Sequence, residues 1–201
     1  MRWIISLVTL LLLGSSRTSV AVPVHQGQRQ ATVAIVPGKR IGSVNLGAHD
    51  GTLKWLGSES SSDAGMMHVW YTWLHAKIAP GTSRCGARMD VFLTPTAGGD
   101  GTQKQVDEIR TMSSLYRTCN GLHVGSSLHS ILRAFPAVRP TGAVIKLPGK
   151  HLARYYDDVK AGIAFEVEEH RGKWADGTCV SIIVHPRGRT WDQTYLPVPQ
   201  S

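Results

Sequence analysis

The chain carries one short phrase twice, about seventy-eight residues apart. Val44 to Gly57 reads V-N-L-G-A-H-D-G-T-L-K-W-L-G, and Leu122 to Phe135 reads L-H-V-G-S-S-L-H-S-I-L-R-A-F. Each copy has two apolar residues flanking one position, then Gly, a short polar step, and a helix-like apolar pattern that closes on a breaker. Self-similarity at a fixed spacing constrains architecture before any single element is assigned, because both copies must find equivalent surroundings.

The second copy predicts the better helix. Ser127 is a natural N-cap, and Leu128, Ile131, Leu132 and Phe135 fall at i, i+3, i+4 and i+7 on one face before Pro136 ends it. In the first copy Leu53 and Leu56 supply the face and Gly57 the stop, so that helix is expected to be shorter. Alternating runs of strand length follow each copy. The first set is His68 to Leu74, Ala87 to Leu93 and Val106 to Ser113; the second is Arg154 to Asp158, Ile163 to Glu168 and Cys179 to Val184. Met89, Val91 and Leu93 share one face with Arg88 and Asp90 opposite, and Ile163, Phe165 and Val167 oppose Ala164, Glu166 and Glu168. The pattern predicts one buried and one wet face. Polar connectors at Thr96 to Thr102 and Gly172 to Gly177 separate the runs. The expected class is α+β: two tandem units, each a helix followed by a three-stranded antiparallel meander, packed as helix-on-sheet layers.

The first twenty-one residues read as a signal peptide. Arg2 gives a positive start, Trp3 to Leu13 an apolar run, and Ser19-Val20-Ala21 a small-x-small cleavage site. The expected location is therefore outside the cytoplasm, periplasmic or extracellular, and no later stretch approaches the roughly 20 apolar residues of a membrane span. The expected organisation is a signal peptide at 1–21, a flexible lead-in at 22–40, a first unit at 41–118, a second at 119–190 and a tail at 191–201. Ala31 to Val36 could add a short edge strand to the lead-in. Arg2 and Arg17 leave with the signal peptide, so the formal charge falls from +8 to +6. That charge is spread thinly, with no basic run of the kind nucleic acid requires.

Cys85, Cys119 and Cys179 give an odd count, which in an oxidising compartment implies one bridge and one leftover thiol, or an intermolecular bond. Cys85 precedes one alternating run and Cys119 follows the next, so antiparallel pairing would bring them together. A Cys85–Cys119 bond would close a loop of about 34 residues, worth about 3 to 4 kcal/mol on the chain-entropy model. Cys119 with Cys179 is the rival pairing. No C-x-x-C pair supports a metal or redox site.

The repeated phrase, with Val44, Leu46, Gly47, Leu53, Leu56 and Gly57 and again Leu122, Val124, Gly125, Ser127, Ile131 and Pro136, resembles the repeat of the β-lactamase-inhibitor-protein fold. It is similar also to the small envelope lipoproteins of outer-membrane assembly, which have one such unit. The stretch from Tyr155 to Phe165, with Gly162-Ile163-Ala164-Phe165, resembles a strand of secreted bacterial proteins. The resemblance covers about three quarters of the mature chain. It implies a fold built from packing and turn residues; it carries over no catalytic or binding residue.

Chemical motifs are sparse. Gly125-Ser126-Ser127 lacks the Gly-x-Ser-x-Gly context of a nucleophile elbow and reads as a cap. The nine histidines form no His-Glu-x-x-His helix, so no metal and no cofactor is expected. Asp157-Asp158 are strand neighbours that face opposite ways. Aromatics carry the remaining signal. Tyr71 and Trp73 share one face of a strand and Trp70 takes the other, and Tyr and Trp are favoured interface anchors. Trp191 and Tyr195, in the Pro-rich tail, either staple the terminus to the body or sit in a partner. The expected function is a non-enzymatic module that binds another envelope or extracellular protein through a sheet face and loops, with Trp70, Tyr71 and Trp73 as anchors. The competing expectations are an envelope hydrolase in which His68, His123 or His151 meets a carboxylate in a deep pocket, and a structural envelope component.

Overall fold

A computed structural model describes residues 33–65, 68–81, 85–96, 102–147 and 151–191. The signal peptide, most of the lead-in, the Gly98-to-Gly101 loop and the tail beyond Trp191, Tyr195 included, lie outside the described residues. The chain forms β1 (Ala34–Val36), β2 (Arg40–Ile41), β3 (Val44–Asn45), a 3-10 helix (Asp50–Leu56), β4 (Ser61–Gly65), β5 (His68–Lys77), β6 (Cys85–Pro95), β7 (Lys104–Thr111), β8 (Arg117–Thr118), helix α1 (Leu128–Ala134), β9 (Arg139–Lys146), β10 (Leu152–Asp158), β11 (Ile163–His170) and β12 (Lys173–Val184).

This is a mostly β protein, which overturns the expected α+β class. Each helix is only seven residues long, and the first is a 3-10 helix. Four strands form a small sheet in the order β3-β2-β1-β8, and eight form the main sheet in the order β4-β5-β6-β7-β12-β11-β10-β9. The main sheet is two up-and-down meanders of four strands each, not three, because β4 and β9 add an outer strand to either half. Both additions are hard to read from sequence. Ser61–Gly65 has no apolar alternation, and Arg139–Lys146 contains Pro140 and Gly142, which strands tolerate at an edge. Within the described part of the lead-in, β1 lies between β2 and a parallel partner, β8, rather than at an edge. The Gly172-to-Gly177 connector shrinks to a two-residue hairpin turn at Arg171-Gly172, with positive φ at both positions, and β12 starts at Lys173.

The repeated phrase docks alike in both places. Gly47 N–H donates to Val106 O and Val106 N–H to Ala48 O, while Gly125 N–H donates to Cys179 O and Cys179 N–H to Ser126 O. Bridges from His49 to Gln105 and from Ser127 to Thr178 complete the match. Val106 and Cys179 lie in β7 and β12, the last strand of each meander. Gly47 and Gly125 take φ of 75° and 102°, a turn into the helix that a side chain would strain.

The main core lies on one face of the main sheet. Leu53 and Leu56 from the 3-10 helix, Leu128 and Ile131 from α1, and Ile35, Ile41 and Val44 from the small sheet pack on Val69, Met89, Val91, Ile109, Phe165, Ile182 and Val184. Ser127 Oγ accepts from Ser130 N–H at 3.2 Å and caps α1. Among the described residues no helix is long and apolar enough to cross a membrane.

The opposite face is buried as well, which overturns the expectation of a wet face. Asp90 and Arg110 are 0 % exposed and Glu166 is 1 % exposed. Arg110 Nε donates to Asp90 Oδ2 at 2.7 Å across the β6–β7 ladder. Ser181 Oγ donates to Glu166 Oε2 at 2.6 Å, and the Tyr155 phenol lies within the fields of both the Glu166 carboxylate and the Arg110 guanidinium. A band of buried polar groups thus crosses the sheet from β6 to β10. Alternation is obeyed strand by strand; water is replaced by internal partners, which buried charge requires.

Two outcomes follow. Arg110→Met strands the Asp90 carboxylate and should lower stability by about 3–5 kcal/mol in urea unfolding, while the double change with Asp90→Leu should recover most of that loss. Burial pushes the Tyr116 phenol up to about 12 and raises Tyr155 further, with the negative Glu166 adding to burial there. An unfolded phenol ionises near pH ~10. The stability these two groups supply is therefore full below pH ~10 and is lost as pH rises toward about 12, at up to ~1.4 kcal/mol per pH unit per phenol. Thermal melts should be level in this respect below pH ~10 and fall steeply above it.

Candidate functional site

Strand β5 reads His-Val-Trp-Tyr-Thr-Trp-Leu-His-Ala-Lys, and its alternation sends Val69, Tyr71 and Trp73 to the main core face and His68, Trp70 and Thr72 to the other. Trp73 is 4 % exposed. Its indole N–H donates to the Gly57 carbonyl at 3.0 Å, tying β5 to the end of the 3-10 helix. The Tyr71 ring lies 5.7 Å from the Trp73 ring at 58° and is only half-buried. Between these rings and the helix opens a cleft of about 460 Å³, lined by Asp50, Lys54, Gly57, Ser58, Glu59, Tyr71 and Trp73 among others. Its floor is aromatic and its rim carries both signs of charge.

Two of the three sequence-predicted anchors therefore meet here, and Trp70 does not. Trp70 is 7 % exposed on the reverse face, packed 4.7 Å from Phe92, against whose ring His68 stacks at 5.5 Å and 16°. The rim residues Asp50, Lys54, Ser58 and Glu59 carry no sequence signal of their own. They join the site only because Gly57, with φ of 101°, turns the chain back toward β5. A second cleft of about 440 Å³ lies by α1, with Asn120, Ser126, Ser130 and Arg133 in its wall.

The histidines proposed for a hydrolase are dispersed. His151 Nδ1 meets Glu168 Oε1 at 2.6 Å, but on open surface, the imidazole being 58 % exposed. His123 Nδ1 faces the Val124 carbonyl at 2.7 Å. Neither cleft is lined by a histidine. The arrangement that resembles a catalytic dyad was not foreseen: His185 Nε2 lies 3.0 Å from Asp157 Oδ1, both side chains being at most 1 % exposed. The other ring nitrogen faces the Pro186 carbonyl at 3.1 Å, and Asp157 Oδ2 accepts from Trp191 N–H at 3.1 Å. Every polar atom of that pair has a partner, so it serves as a clamp on the chain end. Asp158 points the other way, accepting from Ala161 N–H at 3.0 Å. Among the described residues no group of three or more His, Cys, Asp or Glu could hold a metal ion.

The expected Cys85–Cys119 bond is not formed, nor is the rival to Cys179: Cys119 is an exposed free thiol and Cys179 a buried one. The reason is topological. After Thr111 the chain leaves the main sheet, and β8 pairs with β1 in the small sheet, which carries Cys119 away from the β5–β6 ladder in which Cys85 pairs with Lys77. Burial and, secondarily, the negative Glu166 push the Cys179 thiol up. Iodoacetamide at pH ~8 should therefore alkylate Cys119 in the native protein and reach Cys179 only after denaturation, as read by peptide mass spectrometry. A Cys119 that labels only after reduction would instead restore a disulfide.

Comparison with protein-family models, with curated proteins and with solved structures finds no match for this chain.

Proposed function

We propose that the chain is an exported, non-enzymatic protein-binding module that docks its partner at the Tyr71–Trp73 cleft. The observation that carries this reading is the half-buried Tyr71 ring held over a buried Trp73 at the mouth of a cleft of about 460 Å³. Interface hot spots are aromatic, fixed by their own packing, and ringed by polar groups that exclude water once a partner is seated. Tyr71 has the first two properties, and Asp50, Lys54, Ser58 and Glu59 supply the third. The broad sheet-face mode gives way to this smaller site, since Trp70 is buried on the reverse side. Export rests on the signal-peptide pattern of the first 21 residues, and the partner is accordingly an envelope or extracellular protein.

The test is affinity capture from envelope and culture fluid with the mature protein, followed by direct titration of the purified partner. Tyr71→Ala should leave the melting temperature nearly unchanged while weakening binding by about 2 kcal/mol, roughly thirtyfold. Trp73→Ala is the contrasting variant, because loss of a buried Trp costs the fold itself about 3–5 kcal/mol. A partner that binds Tyr71→Ala as tightly as the unaltered protein would overturn the reading.

A further inference from the structure

The main sheet has two edges, and they are finished differently. At one edge β9 carries Pro140 and Gly142, and its pairing with β10 shifts register between Ala153 and Tyr155; such devices spoil an edge for further pairing. At the other edge lies β4, and among the described strands nothing pairs with its outer side. It runs Ser-Ser-Asp-Ala-Gly in five unbroken antiparallel pairs with β5, from Ser61 with Thr72 to Gly65 with His68, and holds no proline, lysine or bulge. Ser61, Ser62, Asp63 and Ala64 are all exposed. The protein structure complementary to a row of outward backbone N–H and C=O groups is another extended strand.

This edge is continuous with the Tyr71–Trp73 cleft. Ser58 and Glu59 in the cleft wall lead into β4, and Ser62 pairs with Tyr71. Paired residues share a face, so a residue added opposite Ser62 lies on the cleft side, two strand spacings or about 10 Å from Tyr71, with only the short serine side chain between. An arginine or lysine is long enough to cross that serine and lay its charged head on the ring. Charge points the same way. Cleft and edge carry Asp50, Glu59 and Asp63 against Lys54, and among the described residues none of these four is in an ion pair. An acidic margin on a chain of formal net charge +8 favours a basic partner and disfavours an acidic one.

We propose that the partner enters as an extended segment with two adjacent basic residues, added along β4 as a further strand of the main sheet. One basic side chain crosses Ser62 to the Tyr71 ring, where Glu59 and Asp50 meet its charge. The next points to the reverse face and pairs across the new ladder with Asp63, which stands opposite Trp70. A second copy of this chain fits worse, because pairing β4 with itself about its middle residue sets Asp63 against Asp63. The inference rests on docking at the Tyr71 cleft and adds the backbone form and the charge of what docks there.

The probe is the acetylated and amidated peptide Thr-Val-Arg-Lys-Val-Thr, titrated into the mature protein while amide shifts and amide exchange are followed residue by residue. Shifts at Glu59 and Tyr71 and slowed exchange within Ser61 to Ala64 are expected. The peptide with Glu-Glu in place of Arg-Lys should bind at least about tenfold more weakly, and so should one of the two peptides N-methylated at alternate residues. Of Ser62→Pro and Asp63→Pro, the variant whose N–H faces outward should keep its melting temperature and lose the peptide by a similar factor. Should both unfold the protein, the N-methylated peptides decide. A peptide that shifts Tyr71 but leaves exchange in β4 unchanged, or that binds equally well in both N-methylated forms, overturns strand addition and leaves docking at the cleft standing. A peptide that does not bind overturns the proposal, as does protection of β4 that rises with protein concentration alone, which would assign the edge to a second copy. Binding of the captured partner that is indifferent to Tyr71→Ala overturns the docking reading itself.

Discussion

The Asp90–Arg110 ion pair sits where the two halves of the molecule meet, and the continuity of the main sheet depends on it. Only three residue pairs join β7 to β12: Thr111 with Ile182, Arg110 with Ile183, and Ile109 with Val184. Arg110 is the middle one. Its guanidinium holds Asp90 on its own meander and lies in the field of the Tyr155 phenol on the other, where Glu166 is held by Ser181. The planar guanidinium brings both Nε and Nη2 onto Asp90 Oδ2, which a lysine could not do with the same geometry. A buried pair of this kind adds little net stability compared with apolar residues, but it is intolerant of misplacement. A slip of one residue at the joint would swing Arg110 into the layer of Ile109 and Val184, where it would have no partner.

Both faces of the sheet are therefore internal, and they are specialised. One holds the apolar core under the helices and small sheet; the other holds desolvated charge beneath aromatic cover. Strand β5 shows the division within consecutive residues, with Trp70 turned to the charged face, Tyr71 toward the cleft and Thr72 back again. A surface for docking can exist on such a body only at its margins, and the bend at Gly57 creates one by leaving Tyr71 half open beside the 3-10 helix. The docking reading and the sealed second face are thus two consequences of one alternation.

The inner strands were legible because their alternation is nearly unbroken: Val69 to Trp73, Met89 to Leu93, Ile163 to Val167 and Ile182 to Val184 all lie where period two puts them. The cap at Ser127 and the corner glycines of the repeated phrase were legible for the same local reason. The outer strands β4 and β9 were not, since Ser61–Gly65 and Arg139–Lys146 are held by a neighbouring ladder rather than by an apolar face of their own. The class is not legible because a phrase that starts a helix does not state how far the helix runs; Gly57 and Pro136 stop each after seven residues. Burial of the second face was the deepest omission. Arg88, Asp90, Glu166 and Glu168 are the residue types of a wet surface, and composition has no means of marking that Asp90 and Glu166 find partners across the sheet while Glu168 remains half open. The aromatic triplet was found by type, and its division between two faces followed from spacing, but the acidic and basic rim of the cleft exists only in three dimensions.

Gly38 and Gly162 meet so closely that a Cβ on Gly162 would stand 2.8 Å from the Gly38 Cα and 2.5 Å from the His185 carbonyl oxygen. Gly38 N–H donates to Gly162 O at 3.0 Å, and His185 N–H reaches the same oxygen at 3.2 Å. A turn near the start of the described chain and the adjoining ends of β11 and β12 thus meet at one hydrogen-bonded point. A polypeptide is made from its N-terminal end, so Gly38 leaves the ribosome long before either partner exists, and β1 must likewise wait for β8. β1 pairs early with β2, but the Gly38 corner cannot close until Gly162 has been delivered. Closure of that point is consequently a late, long-range step, laid over the meanders β4–β7 and β9–β12, whose strands each pair with their sequence neighbours.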